Sequence, residues 1–455
     1  MDTATAAGAV GGSVIGASVP FLRVTTDTRG LVPGDLFVAL RGERFDGHDF
    51  VGDALGAGAA AALVERGRAA ALSGNLIAVD DPLHSLGRLA AYWRTRFDIP
   101  VAVVTGSNGK TTTKEMIASI FRAAVGDDAV AATPGNFNNA IGLPLAVLAL
   151  RAPHRLAVFE IGMNHRGETR ALAAIALPTI AVVTNAQREH QEFMRSVDEV
   201  AAEHADVIRG LRGRGAAILN ADDARVATWR AVAADGGHAV VTFGLDHAAD
   251  FSARHAVHRL GGALELASPA GNAHVLLHAP GRHMASNALA AAAAAHAAGM
   301  PLTAIVAGLE AFRPVRGRLA ASTTAAGVVV IDDSYNANPD SVRAAIDVLA
   351  ACSGARWLVL GDMGEVGADG PAFHREIGTY ARAAGIDRLF AAGALAREAA
   401  DAFGAGAEAF ASVGALAPRV AAVVRGGVTV LVKGSRFMRM ERVVATLGAA
   451  NGGGH

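Results

Sequence analysis

A chain that runs Val101-Ala102-Val103-Val104-Thr105 into Gly106-Ser107-Asn108-Gly109-Lys110-Thr111 has few folds open to it. The apolar residues, β-branched or small, predict a buried strand; the glycines predict a turn; the residues from 110 onward read as helix. Strand, glycine loop, Lys-Thr and helix together make a cradle for a polyphosphate. Glycines let backbone N–H groups approach phosphate oxygens without a Cβ in the way. The helix start adds unpaired N–H donors and the positive end of the helix dipole. Lys110 brings a mobile cation, and Thr111 a hydroxyl suited to Mg2+. The spacing departs from the common phosphate loop, which needs a glycine where Val104 stands. A bare Gly-Lys-Thr also ends ordinary turns, so the flanking strand and helix carry the phosphate reading.

At 455 residues the chain should hold several domains, and the abundance of alanine and glycine with only 5% aromatic residues favours α/β layers over a β-sandwich. A net charge of −1 gives no reason to expect nucleic acid or an anionic membrane as partner. One cysteine, Cys352, excludes an internal disulfide framework and fits a reducing compartment; it reads as a small buried residue. The N-terminus lacks a basic leader, and the most apolar run, 285–298, includes Ser286, Asn287 and His296, so it reads as a buried helix, not a membrane span. A cytoplasmic protein, and a monomer, is expected.

Three units are expected: residues 1–95, 96–315 and 316–455. In the first, a strand is expected at 36–40, a small-residue helix at 54–62 and a helix opened by Asp81-Pro82. Two polar clusters, Thr26-Asp27-Thr28-Arg29 and Arg41-Gly42-Glu43-Arg44-Phe45-Asp46-Gly47-His48, read by themselves as solvated turns. In the second unit, Asn136, Asn138 and Asn139 crowd one loop, more amides than a turn needs. A buried strand then ends at Glu160, where ligands gather in open α/β sheets and where a carboxylate can hold Mg2+. Another strand, 180–184, delivers Asn185, Arg188 and His190. Ser196 and Glu199 form a capping-box pattern opening a helix expected to reach residue 208, with His204 on it. Asn287 shares a helix face with His283. In the third unit three strands run into Asp332-Asp333-Ser334-Tyr335-Asn336-Ala337-Asn338, into Gly361-Asp362 and into Lys433-Gly434-Ser435-Arg436, a common binding edge. The tail, 451–455, reads as disordered.

Together these residues resemble the Mur ligases, ATP-dependent amide-forming enzymes of peptidoglycan precursor synthesis, from about residue 24 to residue 445. Thr105-Gly106-Ser107-Asn108-Gly109-Lys110-Thr111 is similar to that family's own short phosphate loop, which accounts for Val104. Asp333-Ser334-Tyr335-Asn336-Ala337-Asn338-Pro339 and Gly361-Asp362-Met363-Gly364-Glu365 are most like the member that adds D-alanyl-D-alanine to UDP-N-acetylmuramoyl-tripeptide. The resemblance implies a small N-terminal α/β domain, a central mononucleotide-binding sheet and a C-terminal Rossmann-like, doubly wound domain. It implies that Gly106, Ser107, Asn108, Gly109, Lys110, Thr111 and Thr112 cradle ATP, with Asn287, Arg318, Asn336, Asn338 and Asp362 contacting it from elsewhere. Thr111, Glu160 and His190 would hold Mg2+, with Lys110, Glu160 and His190 as the catalytic set. Asp27, Thr28, Arg29, Arg41 and Phe45 would lie at the uridine end. Asn136, Asn138, Asn139 and Arg188 would face the muramoyl-peptide, and Lys433, Ser435 and Arg436 its carboxylates. One departure stands out. Many relatives carry, on the helix after the histidine, a lysine that several carbamylate to help hold a second Mg2+. Here that place is His204, leaving two options: His204, Glu203 or Asp206 substitutes through water, or the site is weak. The alternatives within the class are the ligase adding the third residue and folylpolyglutamate synthase; outside it, a nucleotide-binding regulator.

Overall fold

The computed structural model describes residues 1–258 and 261–448, so the glycine-rich tail lies outside the described residues. Three sheets follow one another along the chain. The first has five strands. Leu36–Val38, Ala61–Glu65 and Leu76–Val79 pair in parallel, and Val24–Thr25 joins Leu36–Val38 at one edge. Ser13–Ile15 runs antiparallel on the other edge. The central strands are nearly continuous apolar runs because both faces are covered. The expected helix at 54–62 is shorter and earlier, Val51–Gly56. Gly58, at φ +98°, turns the chain into the next strand before a longer helix can form. Helix α1 (Pro82–Arg94) begins as its sequence directs: Pro82 occupies the first turn and Asp81 accepts from His84 N at 2.9 Å.

The second sheet has nine strands. At its heart β1 (Val101–Thr105) feeds helix α2 (Lys110–Val125), and β2 (Leu156–Glu160) pairs with β1 in parallel. Helix α3 (Glu168–Ala176) leads to β3 (Ile180–Val183), which pairs with the opposite side of β1. The chain thus leaves β1 in both directions, and a crevice opens at the carboxyl ends of the strands at such a switch point. Helix α4 (Val197–His204) starts at Ser196, whose Oγ accepts from Glu199 N at 3.2 Å; Glu199 turns its own carboxylate to Arg195 N, one residue before the cap. It stops at His204, and a separate turn, Asp206–Arg209, follows, so the continuous helix to residue 208 is broken at Ala205. An antiparallel meander of Phe251–His258, Gly261–Ser268 and Gly271–Leu277 forms the far edge. Helix α5 (Arg282–Ala297) is buried along residues 284–295, except Ser286, and its alanines let it lie directly against α2 and the sheet. Among the described residues no helix is long and apolar enough to cross a membrane.

In the third unit β4 (Val329–Asp333) leads through helix α6 (Pro339–Ala350) to β5 (Ala355–Gly361), and β6 (Val428–Lys433) inserts between β4 and β5. All three are parallel, so Asp333, Gly361 and Lys433 end on one edge, as the strand ends in the sequence imply. This edge faces the central sheet's crevice.

Candidate active site

One cavity of about 1400 Å3 lies between the three units. Its floor is the loop after β1. Gly106 sits at φ +130°, and a Cβ there would come within 2.0 Å of Thr184 Oγ1; Gly109, at φ +84°, is pressed against the Asn287 side chain. Only glycine meets both demands. Asn185 holds the loop in place: its carbonyl accepts from Ser107 N at 3.0 Å and its side chain from Asn108 N at 2.9 Å. Asn108 Nδ2 donates to Gln187 Oε1 at 2.6 Å, and the Asn108 side chain exchanges hydrogen bonds with that of Asn338 of the third unit (2.9 and 3.3 Å).

Lys110 lies across this loop. Its Nζ donates to Gly106 O at 2.5 Å and Ser107 O at 3.1 Å, and sits 3.4 Å from Glu189 Oε2. Thr111 Oγ1 and Glu160 Oε2 are buried and have no hydrogen-bond partner, whereas Glu160 Oε1 accepts from Asn138 Nδ2 at 2.7 Å. Two orphaned oxygens, at a helix start and a strand end, are the hard donors that Mg2+ takes, and they fit it. Among the described residues no three His, Cys, Asp or Glu side chains form a metal cage by themselves. Mg2+ in nucleotide sites ordinarily completes its shell with phosphate oxygens and water.

His190 adopts a left-handed backbone, φ +49°, which aims its ring between units: Nδ1 lies 2.6 Å from Glu365 Oε2 and Nε2 3.7 Å from Glu189 Oε2. Hydrogen bonding from His190 holds the Glu365 carboxyl below its ordinary range. Glu189 is 6% exposed. Burial alone would raise its pKa, but Lys110, the hydrogen bond and charge of His204, and His190 outweigh it and bring it down to about 2. His204 Nε2 donates to Glu189 Oε1 at 2.9 Å, and its Nδ1 meets Thr105 Oγ1 at 3.0 Å. His283 is half-buried at the cavity wall, and desolvation there, with the nearby charge of Lys433, lowers its pKa to about 4. In the third unit Arg318 lies over the Tyr335 ring at 4.3 Å, and Lys433 Nζ pairs with Asp333 Oδ2 at 2.5 Å and donates to Asn336 O at 3.0 Å.

Family models match in sequence: the Mur ligase family catalytic domain over residues 21–94, the Mur ligase middle domain over 104–295 and the Mur ligase glutamate ligase domain over 317–436. A UDP-N-acetylmuramoyl-tripeptide--D-alanyl-D-alanine ligase from Escherichia coli (strain K12) is 42% identical over 440 residues, 96% of each chain. The chain belongs to the Mur ligase family. The crystal structure of MurF from Acinetobacter baumannii superposes with a TM-score of 0.90 at 33% identity, covering 98% of both chains. That of MurF ligase from Thermotoga maritima in complex with ADP gives 0.81 at 26% identity, over 94% of this chain and 97% of that one.

Against the expectations drawn from the Mur ligase resemblance, the cavity gathers Ser107, Asn108, Gly109, Lys110, Thr112, Asn138, Asn139, Glu160, His190, Asn287, Arg318, Asn336, Asn338, Lys433, Ser435 and Arg436. Gly106 and Thr111 sit just behind this wall. Other residues lie elsewhere. Asp362 accepts from Ala396 N, at the start of the helix Ala396–Phe403, at 2.6 Å, so it is turned from the cavity. Arg188 does not line it either: its guanidinium pairs with Asp340 at 2.6 Å and Glu376 at 2.7 Å, joining the second unit to the third. Asn136 is exposed; Asn139, although at the cavity wall, uses its side-chain oxygen to accept from Ile141 N and Gly142 N in a turn. Asp27, Thr28 and Arg29 form an exposed turn in which Arg29 pairs with Asp27 at 2.6 Å; Arg41 and Phe45, the latter 72% exposed, belong to a second exposed turn. Ser435 Oγ is engaged by Gly364 N at 2.6 Å.

Sequence reasoning missed Gln187 and Glu189, although Glu189 stands beside His190 at the same strand end. It also missed the face of α1, where Asp81, His84 and Arg88 line the far part of the cavity. The signal for α1 was present in its polar residues at helical spacing.

Proposed function

We propose that this chain is an ATP-dependent ligase that joins D-alanyl-D-alanine to the terminal carboxylate of UDP-N-acetylmuramoyl-tripeptide in peptidoglycan synthesis. The observation that carries the reading is the convergence, on one cavity between three units, of a glycine loop, a mobile Lys110 and the orphaned Glu160, in a chain similar along its length to ligases of that name. A carboxylate does not condense with an amine at neutral pH, so it needs activation. In our reading the tripeptide carboxylate oxygen attacks the γ-phosphorus of ATP, ADP leaves, and an acyl phosphate forms. The amine of D-Ala-D-Ala attacks its carbonyl carbon, and inorganic phosphate leaves from the tetrahedral intermediate.

The chain's part is chiefly to position and to neutralise charge. Lys110 moves from its carbonyl perch to the phosphates, and the N–H groups of residues 109–112, at the start of α2, line the same cradle, while those of Ser107 and Asn108 are held by Asn185. Thr111 and Glu160, with His190 at the margin, would hold Mg2+; when bound, it offsets phosphate charge. Arg318, Asn336 and Asn338 approach the nucleotide from the third unit, with Asn287 behind the loop. Asn138, Lys433, Ser435 and Arg436 are positioned for peptide groups. We assign the first unit, with Asp27, Thr28, Arg29, Arg41 and Phe45, to the UDP end; the α1 face of the cavity connects that unit to the reaction centre. ATP and UDP-linked substrates are cytoplasmic, and we infer the same location for the protein.

The test is phosphate release with MgATP while the acid (UDP-N-acetylmuramoyl-tripeptide, the corresponding dipeptide or a folate) and the amine are varied. Release should require D-Ala-D-Ala. Release driven instead by diaminopimelate or glutamate would favour the third-residue ligase or folylpolyglutamate synthase, and none with any amine would favour a regulator.

A further inference from the structure

Glu189 is a cavity carboxylate that the mechanism leaves without a task. Its carboxylate, 6% exposed, meets Lys110 Nζ at 3.4 Å, His204 Nε2 at 2.9 Å and His190 Nε2 at 3.7 Å. Lys110 cannot neutralise both this anion and an incoming triphosphate. Once its ammonium turns to the phosphates, Glu189 is a desolvated carboxylate facing further negative charge, a strongly unfavourable arrangement unless another cation arrives. A divalent ion entering with the nucleotide has the charge and the preference for hard oxygen that the position requires.

The neighbourhood leaves this role to Glu189. Glu203 is occupied at the start of α3, accepting from Gly167 N and Thr169 N at 2.8 Å each. Asp206 is paired with Arg170 and Arg209. His204 stands where the family resemblance places a lysine, and it points at Glu189. A carboxylate only accepts, so His204 Nε2 carries the proton, and Thr105 Oγ1 at Nδ1 fixes the ring. Ligands supported in this way are those whose orientation a metal site depends on.

We propose that Glu189 is a direct carboxylate ligand of a second Mg2+ that enters with the nucleotide as Lys110 turns away, and that His204 is the positioning residue that orients it. The pair then replaces the lysine found in relatives. This rests on the reading that the cavity holds ATP.

The test is Mn2+ binding, counted by electron paramagnetic resonance, to the full chain with a non-hydrolysable ATP analogue and UDP-N-acetylmuramoyl-tripeptide. The parent protein should bind two Mn2+, one of them only with nucleotide present. Glu189→Gln should keep the analogue and lose the second ion or weaken it by on the order of 10- to 100-fold. His204→Gln, which still donates to Glu189, should retain the second ion better than His204→Leu. Two ions bound with parental affinity by Glu189→Gln would overturn this proposal alone. A parent protein that binds no nucleotide would overturn the function reading and this proposal with it.

Discussion

Lys110 rests on Gly106 O, Ser107 O and Glu189, contacts that it can exchange for phosphate oxygens without moving the loop. Lys110→Ala should therefore keep a cooperative unfolding transition while kcat falls on the order of a hundredfold or more; near-parental turnover would refute its role. His283 is the residue whose effect shows in stability. Its pKa is about 4 in the fold against 6.5 outside it. Below pH 6.5 the unfolded chain takes up a proton that the folded chain refuses, so its contribution is complete above 6.5 and is lost as pH falls towards 4. The loss is at most about 3 kcal/mol. Urea titrations across that range should show a steeper decline for the parent than for His283→Gln; parallel curves would contradict this. Residues whose partners are local were legible: Lys110 follows from its own loop, and Asp81 from the proline beside it. Glu189 was not, because its meaning depends on His204, fifteen residues on and across a helix start.

The element that orders the rest is the turn from β1 into α2. Its sequence shows the glycines, but not why each is required; Thr184 and Asn287 supply that reason, from a strand end and a helix distant in the chain. Gly106→Ala combines a left-handed backbone with a collision at Thr184, so it should both lower Tm and abolish binding of a fluorescent ATP analogue; binding at parental affinity would show that the loop can shift without cost. The central parallel strands read well because both faces are buried and each is one apolar run; the half-exposed edge strands Gly261–Ser268 and Gly271–Leu277, with small and polar residues interspersed, were not read. Helix ends read less well. Helix α4 stops at His204, while the apolar pattern carries on to residue 208, and Val51–Gly56 ends early because Gly58 must turn the chain.

On the scale of the molecule, Arg188, His190 and Asn108 reach from the second unit to Asp340 with Glu376, to Glu365 and to Asn338 in the third. Reading Arg188 as a substrate contact overlooked partners 152 and 188 positions away, which no local pattern reveals. Arg188→Ala should loosen this clasp, enlarging the radius of gyration in small-angle scattering and raising KM for ATP more than it lowers kcat; unchanged dimensions would mean that other contacts hold the units together. In the proposed reaction, closure over ATP and peptide would keep water from the acyl phosphate. The direct test uses UDP-N-acetylmuramoyl-tripeptide carrying 18O in its terminal carboxylate, with D-Ala-D-Ala and MgATP, followed by mass spectrometry of both products. The account predicts a peptide extended by D-Ala-D-Ala and inorganic phosphate bearing one 18O; no extended peptide, or unlabelled phosphate, would contradict it.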